Sequence, residues 1–374
     1  MSELKSCKLG DVVSFGNGKA RPSSEGGIPI YGGNGILGFC ANNNYEGETI
    51  VIGRVGAYCG ATYYENRAIW VSDNALSAKP KGENYAKFIY YFLKDMDLNQ
   101  HAGGSSHPLV TQTLLNSLDI EIPENPEEQK VIASVLSCLD DKIDLLHRQN
   151  TTLEHMAETL FRQWFIEEAL EDWEFGELGE YVDCFNGVSY KSSELNPSKV
   201  AMVTLKSFDR NGGFRLDGFK EFTGRFKEQH IVVQGDLVVA HTDITQDADV
   251  IGNPVLVVGS PSYETIVISM DLVKVTSKFE WLSNEFLYRM MRTREFKEHC
   301  LGYSNGSTVL HLSKQAVPSF EFFMPPKEKI ESYTKLAKDL FSKKFKNIEQ
   351  IQTLEKLRDT LLPKLMSGEI RVEV

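Results

Sequence analysis

The chain repeats its own plan, and this internal repeat limits the possible folds more than any single motif does. Leu9-Gly10-Asp11 opens a segment that Leu178-Gly179-Glu180 opens again, 169 residues later. Each segment passes through Gly- and aromatic-rich sequence to a Pro-containing exit, at 120–126 and at 322–326, and then enters a long helical pattern. The two helical patterns align at an offset of 201 residues, so the second unit is the longer one. The sequence therefore predicts a duplicated unit of lobe and helix.

The repeat divides the chain into four segments. We predict a first lobe at 1–125, a first long helix at 126–172, a second lobe at 173–325, and a second long helix with a C-terminal tail at 326–374. These segments carry −3, −7, −5 and +3 of the net charge of −12, in that order. Because the first helix is acidic and the second is basic, the charges favour two helices that pack against each other.

The first helix has the clearest pattern in the chain. Asn125 can serve as its N-cap, and Pro126 suits its first position. Asn150, which is part of its seam, either sets the register of a helix pair or is a partly exposed polar residue, and the sequence leaves both open. The seam is a heptad pattern with alternating steps of four and three, formed by Ile132, Leu136, Leu139, Ile143, Leu146, Asn150, Leu153, Ala157, Leu160 and Trp164.

The second helical pattern, at about 327–365, is less regular. We expect Pro363 to end or kink this helix, and Ser367-Gly368 is a natural stop. A helix of about 44 residues is on the order of 65 Å long at about 1.5 Å per residue. Because neither lobe can bury such a helix, we predict that the two helices pair antiparallel and hold the lobes apart as a coiled-coil strut.

The lobes have the pattern of an α+β or mixed α/β fold. Each contains short strand-like runs, a short helix and Gly/Asn-rich loops. We therefore predict two globular lobes and two antiparallel helices, related by a pseudo-twofold internal repeat. The strand-like runs are 49–52, 68–71, 236–239 and 265–268, and the short helices are expected at 84–95 and 283–299.

Composition and motifs disfavour several classes of protein. No apolar run approaches the roughly 18 residues of a membrane span, and the first residues have no signal-peptide pattern, so we expect a cytoplasmic protein without a membrane segment. The six cysteines form no C-x-x-C pair and are expected to be reduced packing residues. The phosphate-loop and H-E-x-x-H patterns are absent, which disfavours catalysis.

A set of short segments is spread along the whole chain. They are Ile30-Tyr31-Gly32-Gly33-Asn34-Gly35, 48–56, Ser72-Asp73-Asn74-Ala75-Leu76, Ile122-Pro123 with Glu127-Glu128-Gln129-Lys130, 160–165 and 361–370. Together with the repeat, they resemble the DNA-specificity subunit of type I restriction-modification systems. The second exit departs from the pattern, because Lys327-Glu328-Lys329 replaces Glu127-Glu128-Gln129.

This resemblance implies two target-recognition domains, at 1–125 and 173–325, each reading one half of a split, asymmetric site in double-stranded DNA. The helices would set the spacing of the half-sites and dock two methyltransferase subunits, and motor/nuclease subunits would join for restriction. The chain itself would be non-catalytic and would hold no cofactor or metal, whereas S-adenosylmethionine, ATP and Mg would be bound by the partner subunits. Because both lobes are acidic, we expect the partners to supply much of the phosphate neutralisation.

Candidate DNA contacts are cationic, polar or aromatic residues in or beside the Gly-rich loops. Arg and Asn can read bases through paired hydrogen bonds, whereas Lys and Ser mostly position phosphates. The candidates in the first lobe are Lys19, Arg21, Tyr31, Asn34, Arg54, Tyr58, Ser105, Ser106 and His107. The candidates in the second lobe are Tyr190, Lys191, Lys206, Arg210, His241, Thr242, Ser304, Asn305 and Thr308.

Two other functions stay open at this point. A two-lobed scaffold that binds protein and not DNA is compatible with the acidic charge. A self-contained DNA methyltransferase is suggested by Tyr31-Gly32-Gly33-Asn34-Gly35, which resembles the cofactor loop of adenine methyltransferases, but the Asn/Asp-Pro-Pro-aromatic tetrapeptide of those enzymes is absent. Cofactor binding by the isolated chain, and DNA binding by variants of Arg54 or Arg210, distinguish these functions.

Overall fold

Two compact units make up the chain. The computed structural model describes residues 4–103, 108–170, 173–210, 212–244, 247–306 and 309–372. Unit 1 comprises Met1–Leu145 and Ile351–Val374, and unit 2 comprises Leu146–Gln350. In the part of the chain that the structure describes, every helix is too short or too polar to cross a lipid bilayer.

Strands and helices alternate irregularly within each unit, and two helices are much longer than the others. In chain order the elements are β1 (Leu4–Lys8), α1 (Leu9–Val12), β2 (Val13–Asn17), β3 (Ile28–Gly32), β4 (Gly35–Cys40), β5 (Thr49–Gly53), β6 (Thr62–Glu65), β7 (Trp70–Val71), β8 (Ala75–Pro80), α2 (Ala86–Asp95), α3 (Gln112–Ser117), β9 (Asp119–Pro123), α4 (Pro126–Arg162), β10 (Glu174–Glu177), β11 (Val182–Asn186), β12 (Val200–Val203), β13 (Lys220–Glu221), β14 (Ile231–Val232), β15 (Leu237–Ala240), β16 (Thr242–Asp243), β17 (Pro254–Leu256), β18 (Thr265–Ile268), β19 (Leu272–Ser277), α5 (Asn284–Met291), α6 (Arg294–Gly302), β20 (Ser304–Asn305), β21 (Leu310–Leu312), β22 (Glu321–Met324) and α7 (Lys327–Met366).

Among the described residues, the lobe of unit 1 contains three small sheets. An antiparallel sheet has the order β2-β8-β5-β6, a second has the order β4-β3-β7 with β3 parallel to β7, and β1 pairs antiparallel with β9. All five residues of β5 are buried. The helix α2 buries Phe88, Ile89 and Phe92 in the same core as Ile50 of β5, and burial of each such side chain contributes about 1.5–3 kcal/mol.

Unit 2 has the same topology. Its main sheet has the order β11-β19-β15-β17, its second sheet has the order β13-β12-β18-β14 with β12 parallel to β18, and β10 pairs antiparallel with β22. The strands β2, β8, β5 and β6 therefore correspond to β11, β19, β15 and β17. The second lobe adds β14 and a small sheet of β16, β21 and β20. The predicted mixed α/β fold with an internal repeat is confirmed.

The helices α4 and α7 run antiparallel within each unit, as predicted. In unit 1, Arg358 of α7 bonds Asp140 of α4 at 2.8 Å. In unit 2, Lys344 pairs with Glu154. The residue number on α7 thus falls as the number on α4 rises. The acid lies on α4 and the base on α7 in both pairs, which is the complementarity that the segment charges predicted.

Asn150 sits at a buried polar contact between α4 and α7. It is 9% exposed, and its Oδ1 accepts a hydrogen bond of 2.9 Å from Nδ2 of the fully buried Asn347. The same Nδ2 donates to Gln149 Oε1 at 3.3 Å. Of the two readings that the sequence left open, the structure supports the buried register contact, because sliding either helix would leave both amides unpaired.

Three local expectations differ from the structure. The predicted helix 283–299 is two helices, α5 and α6, because the Thr293 hydroxyl caps a new start by accepting from the Phe296 amide at 3.3 Å. The strand expected at 68–71 contains only Trp70–Val71. The helix α7 continues through Pro363 for three residues and ends at Met366, before the positive φ of Gly368.

The start of α4 was predicted correctly. Asn125 Oδ1 accepts a hydrogen bond of 3.0 Å from the Glu127 amide, and Pro126 is the first helical residue. Gln129 is buried inside unit 1, where its side chain bonds Pro123 O, the Tyr85 amide and Asn84 Oδ1. The loss of this glutamine at the second exit therefore changes a contact between lobe and helix, not an exposed docking face.

Candidate DNA interface

Four loops of unit 1 meet at one edge of the lobe, which we call the loop edge of unit 1: residues 18–21, 31–35, 54–60 and 72–75. The Ser72 amide donates to Tyr31 O at 2.8 Å, and the Arg54 amide donates to Asn74 O at 3.0 Å. The Lys19 amide donates to Val71 O at 3.0 Å. These backbone bonds bring most of the first-lobe candidates together on one surface.

Glycines allow this close packing of the loops. A Cβ on Gly18 would lie 1.7 Å from Ser72 O, and a Cβ on Gly53 would lie 2.2 Å from Tyr58 O. Neither contact is possible for a residue with a side chain. The Gly-rich sequence of the first lobe is thus a requirement of the loop edge, and the loops gain a rigid backbone from which side chains project.

Arg54 lies at the centre of the loop edge of unit 1. Its backbone is held on both sides, since its amide bonds Asn74 and its carbonyl accepts from the Val110 amide at 3.0 Å. Its buried Nε has no hydrogen-bond partner among the described residues. Beside it, Tyr58 is 51% exposed. An arginine whose backbone is held at this edge, next to an exposed ring, is suited to base recognition through its terminal guanidinium nitrogens.

Unit 2 builds the same backbone frame, which we call the loop edge of unit 2: residues 187–191, 203–210, 241–253 (described at 241–244 and 247–253) and 269–272. The Ser269 amide donates to Val203 O at 3.0 Å, and the His241 amide donates to Asp271 O at 2.7 Å. The Leu312 amide donates to His241 O at 2.8 Å. These bonds match those of Ser72, Arg54 and Val110, so His241 occupies the position of Arg54.

The same equivalence extends to the tightest packing. A Cβ on Gly187 would lie 2.1 Å from Ser269 O, as a Cβ on Gly18 would clash with Ser72 O. The hydroxyls of Ser72 and Ser269 are both buried without a hydrogen-bond partner among the described residues. The duplication has therefore produced two loop edges that share one backbone frame but carry different side chains.

His241 is chemically different from Arg54. Burial, more than the nearby charges of Lys314 and His311, lowers the pKa of His241. Its imidazole is therefore neutral at neutral pH, with one ring nitrogen as donor and the other as acceptor. The second lobe thus offers a mixed hydrogen-bonding group where the first lobe offers a cation.

The loop 241–253 of unit 2 is fixed by two charged residues. Asp243 Oδ2 accepts from the amides of Val250 and Ile251 at 2.6 and 3.0 Å. Lys297 Nζ of α6 donates to Ala248 O and Asn253 Oδ1, both at 2.9 Å. Burial lowers the pKa of Lys297. These two residues hold the loop where glycines shape the shorter loop 54–60 of unit 1.

The remaining candidates of the first lobe differ in accessibility. Lys19 and Asn34 are exposed, and Arg21 Nη2 donates to Leu37 O at 3.0 Å. Tyr31 is 7% exposed, and its hydroxyl donates to Glu65 at 3.2 Å. Burial and the Glu65 carboxylate raise the pKa of Tyr31 to about 12. Its ring supports the loop from inside and is not available to stack on a base.

The second-lobe candidates fall into two groups. His241, Thr242, Ser304 and Asn305 lie on or beside the small sheet of β16, β21 and β20, where the buried Thr242 donates to Asp271 at 3.2 Å. The other group follows the ends of β11 and β12 and consists of Tyr190, Lys191, Lys206 and Arg210. Arg210 Nε lies 3.7 Å from Asp249 Oδ2 of the loop 241–253. Ser105, Ser106, His107 and Thr308 lie outside the described residues.

Sequence reasoning missed the residues that fix the loops, namely Asp243, Lys297, Asn74 and Asp271. Part of the signal was present: Ser72-Asp73-Asn74-Ala75 aligns with Ser269-Met270-Asp271-Leu272. Lys297 had no comparable signal, because its bonds span 44–49 residues of sequence. Across the described ranges, no group of three or more His, Cys, Asp or Glu side chains is placed to hold a metal ion.

Comparison with known proteins shows what the chain is similar to. Residues 1–155 match the model of the type I restriction modification DNA specificity domain. The chain is 27% identical over 328 residues to the MjaIX specificity subunit of Methanocaldococcus jannaschii, which covers 79% of this chain and 71% of that protein. Over most of its length the chain is therefore similar to type I restriction enzyme specificity subunits.

A second specificity subunit and one solved structure agree with this. The HindI specificity subunit of Haemophilus influenzae is 24% identical over 330 residues, covering 70% of this chain and 71% of that protein. The crystal structure of the type I S subunit from M. genitalium has the same fold, with a TM-score of 0.66 at 18% identity over 98% of this chain and 96% of that one. Specificity subunits are the non-catalytic members of their systems, as the sequence predicted for this chain.

Proposed function

We propose that this chain gives a type I restriction-modification complex its DNA sequence specificity, with each lobe reading one half of a bipartite, asymmetric site. The lobes correspond to residues 1–125 and 173–325, and the helical segments to 126–172 and 326–374. The observation that carries the proposal is the loop edge, built twice on one backbone frame. Because Arg54 and His241 occupy equivalent positions, the two halves of the site should differ in sequence.

The candidate contacts divide by chemistry. Arg54 can form two hydrogen bonds to O6 and N7 of guanine, whereas the neutral His241 can donate or accept one. Asn34 and Asn305 are suited to adenine, and Lys19, Lys191 and Lys206 to phosphates. Tyr58 and Tyr190 can pack against sugars or bases. Tyr31 and Thr242, which are buried, support this surface from within.

The long helices are the proposed docking surface for two methyltransferase subunits, with motor/nuclease subunits joining for restriction. Because the helices pair antiparallel, each unit contains part of α4 and part of α7, and each unit therefore offers a similar helical surface. S-adenosylmethionine, ATP and Mg are assigned to the partners. The lobes carry net negative charge, so the partners would supply part of the phosphate neutralisation. We place the complex in the cytoplasm, where the cell's DNA is its substrate.

The deciding experiment maps methylated adenines in DNA from cells that express this chain with its candidate methyltransferase. We expect a split, asymmetric motif that is absent when the methyltransferase is expressed alone. The variant Arg54→Ala should relax or abolish one half of the motif, and His241→Ala should affect the other half. Replacing the half-buried Lys87 of α2 with Ala is the matched control, because Lys87 lies over the Tyr64 ring, outside the loop edge, and its loss should leave the motif unchanged.

Two results would favour the other functions. If both proteins are soluble and associated but no methylation appears, and Arg54→Ala and Arg210→Ala do not change DNA binding, the scaffold reading is supported. If the isolated chain binds S-adenosylmethionine and methylates DNA by itself, the chain is a methyltransferase. If the proposed function is correct, the isolated chain neither binds S-adenosylmethionine nor methylates DNA.

A further inference from the structure

The two-stranded sheet β10–β22 of unit 2 carries an exposed aromatic pair. Phe175 and Phe323 are opposite each other in register, with ring centroids 5.2 Å apart. They are 61% and 55% exposed. Two adjacent, solvent-exposed phenylalanine side chains mark an interaction surface when their surroundings also point to a partner.

The next pair on this face consists of two carboxylates. Side chains alternate along a strand, so Glu177 and Glu321 project on the same side as Phe175 and Phe323. The register places Glu177 directly opposite Glu321, and both are exposed. Within the described ranges neither forms an ion pair with a Lys or Arg. Like charges directly opposite each other destabilise a strand pair, so this face would be stabilised by an added cation.

The equivalent sheet of unit 1 has neither feature. Lys8 forms a 2.6 Å salt bridge with Asp119, its partner in register, and Ser6 donates a hydrogen bond of 3.3 Å to Glu121. These residues occupy equivalent positions, because Lys8 and Glu177 directly precede the leucines that open the repeat. The sheet β1–β9 satisfies its own charges, whereas β10–β22 does not.

We infer that the β10–β22 face, defined by Phe175, Glu177, Glu321 and Phe323, docks one methyltransferase subunit through an apolar side chain next to a Lys or Arg. This inference rests on the proposed function. DNA does not fit, because its phosphates would be repelled by the two carboxylates. A second copy of the chain does not fit either, because two such faces would bring four carboxylates together.

The position of the face in the chain supports this partner. Strand β22 leads through Pro325-Pro326 directly into α7, and eleven residues separate the end of α4 from the start of β10. A subunit that docks on the helices therefore reaches this sheet without a second binding site. Because the sheet of unit 1 is already satisfied, the two methyltransferase subunits should bind with different affinities.

The test transplants the residues of unit 1 onto the face of unit 2 in the full-length chain. The variant Phe175→Ser/Phe323→Glu recreates the pair formed by Ser6 and Glu121, and Glu177→Lys/Glu321→Asp recreates the pair formed by Lys8 and Asp119. Ser6→Ala/Glu121→Gln in unit 1 is the matched control. Purified methyltransferase subunit is titrated against each chain by calorimetry, and thermal unfolding of each free chain confirms that it is folded.

We expect two unequal binding steps for the wild-type chain. Each transplant should raise the dissociation constant of the tighter step about tenfold or more, toward that of the weaker step. The control should leave both dissociation constants unchanged. If the wild-type chain and both folded transplants bind the methyltransferase subunit with the same affinities, the inference is overturned. The proposed function is unaffected by that result if the methylation motif is still observed. No binding by the wild-type chain, together with no methylation, would overturn both.

Discussion

Replacing Glu154 with Gln should destabilise unit 2 by about 3–5 kcal/mol, the cost of leaving a buried charge without its counter-ion. The Glu154 carboxylate accepts a hydrogen bond of 2.7 Å from the Tyr288 hydroxyl, pairs with Lys344, and lies 3.0 Å from Arg289 Nη2. Arg289 is only 3% exposed. Gln keeps the shape of Glu154 but leaves this guanidinium facing a neutral amide.

Tryptophan fluorescence measures this change selectively, because three of the four tryptophans (Trp164, Trp173 and Trp281) belong to unit 2. The predicted loss corresponds to a fall in Tm of roughly 6–20 °C for a unit of this size. Glu158→Gln is the control: its carboxylate lies 3.9 Å from Arg289 Nη1 and is 62% exposed, so the change should cost less than about 1 kcal/mol. If Glu154→Gln costs no more than this control, the ion pair is not what holds Arg289 in the core.

Three further predictions concern pH, register and recognition. Burial by itself would raise the pKa of Glu154, but Lys344 and Arg289 outweigh it and lower that pKa. The contribution of Glu154 to stability is therefore complete above the unfolded pKa of about 4.3 and is lost as the pH falls through the lower folded pKa. Urea melts from pH 7 to 3 should thus converge for wild type and Glu154→Gln. Asn347→Leu should cost about 1–3 kcal/mol by leaving Asn150 unpaired, and the double change Asn150→Leu/Asn347→Leu should recover most of it; an additive double-mutant cycle would contradict this coupling. Lys297→Met should broaden the methylation motif in one half only, and an unchanged motif in a folded variant would show that Lys297 does not position the loop 241–253.

The long helices were predictable because their signals are local. The cap at Asn125, the heptad seam and the glycine after Ser367 are all readable within a few residues, and the structure places the helices at Pro126–Arg162 and Lys327–Met366. The break between α5 and α6 was missed because Thr293 can be part of a helix or cap a new one, and apolar periodicity does not distinguish the two.

The lobes were predictable only in part because their sheets depend on distant pairings. Parallel neighbours such as β3 and β7 are separated by 40 residues of sequence at both partner pairs, Ile30 with Trp70 and Tyr31 with Val71, and local sequence patterns do not predict pairings at that distance. The loop edges depend on both local signals and distant contacts. The glycines indicated close packing of the loops, whereas the burial of Tyr31 and the support from Lys297 depend on contacts that only the folded chain reveals.

The opposite charges of α4 and α7 have a consequence for how such a chain can change. After duplication, the two helices have become complementary partners, with Asp140 and Glu154 on one and Arg358 and Lys344 on the other. A recombinant that replaced the second half with another copy of the first would set acid against acid along the whole pair. New specificities are therefore expected to arise by exchange of the lobes alone, with each helix kept in its own place in the gene.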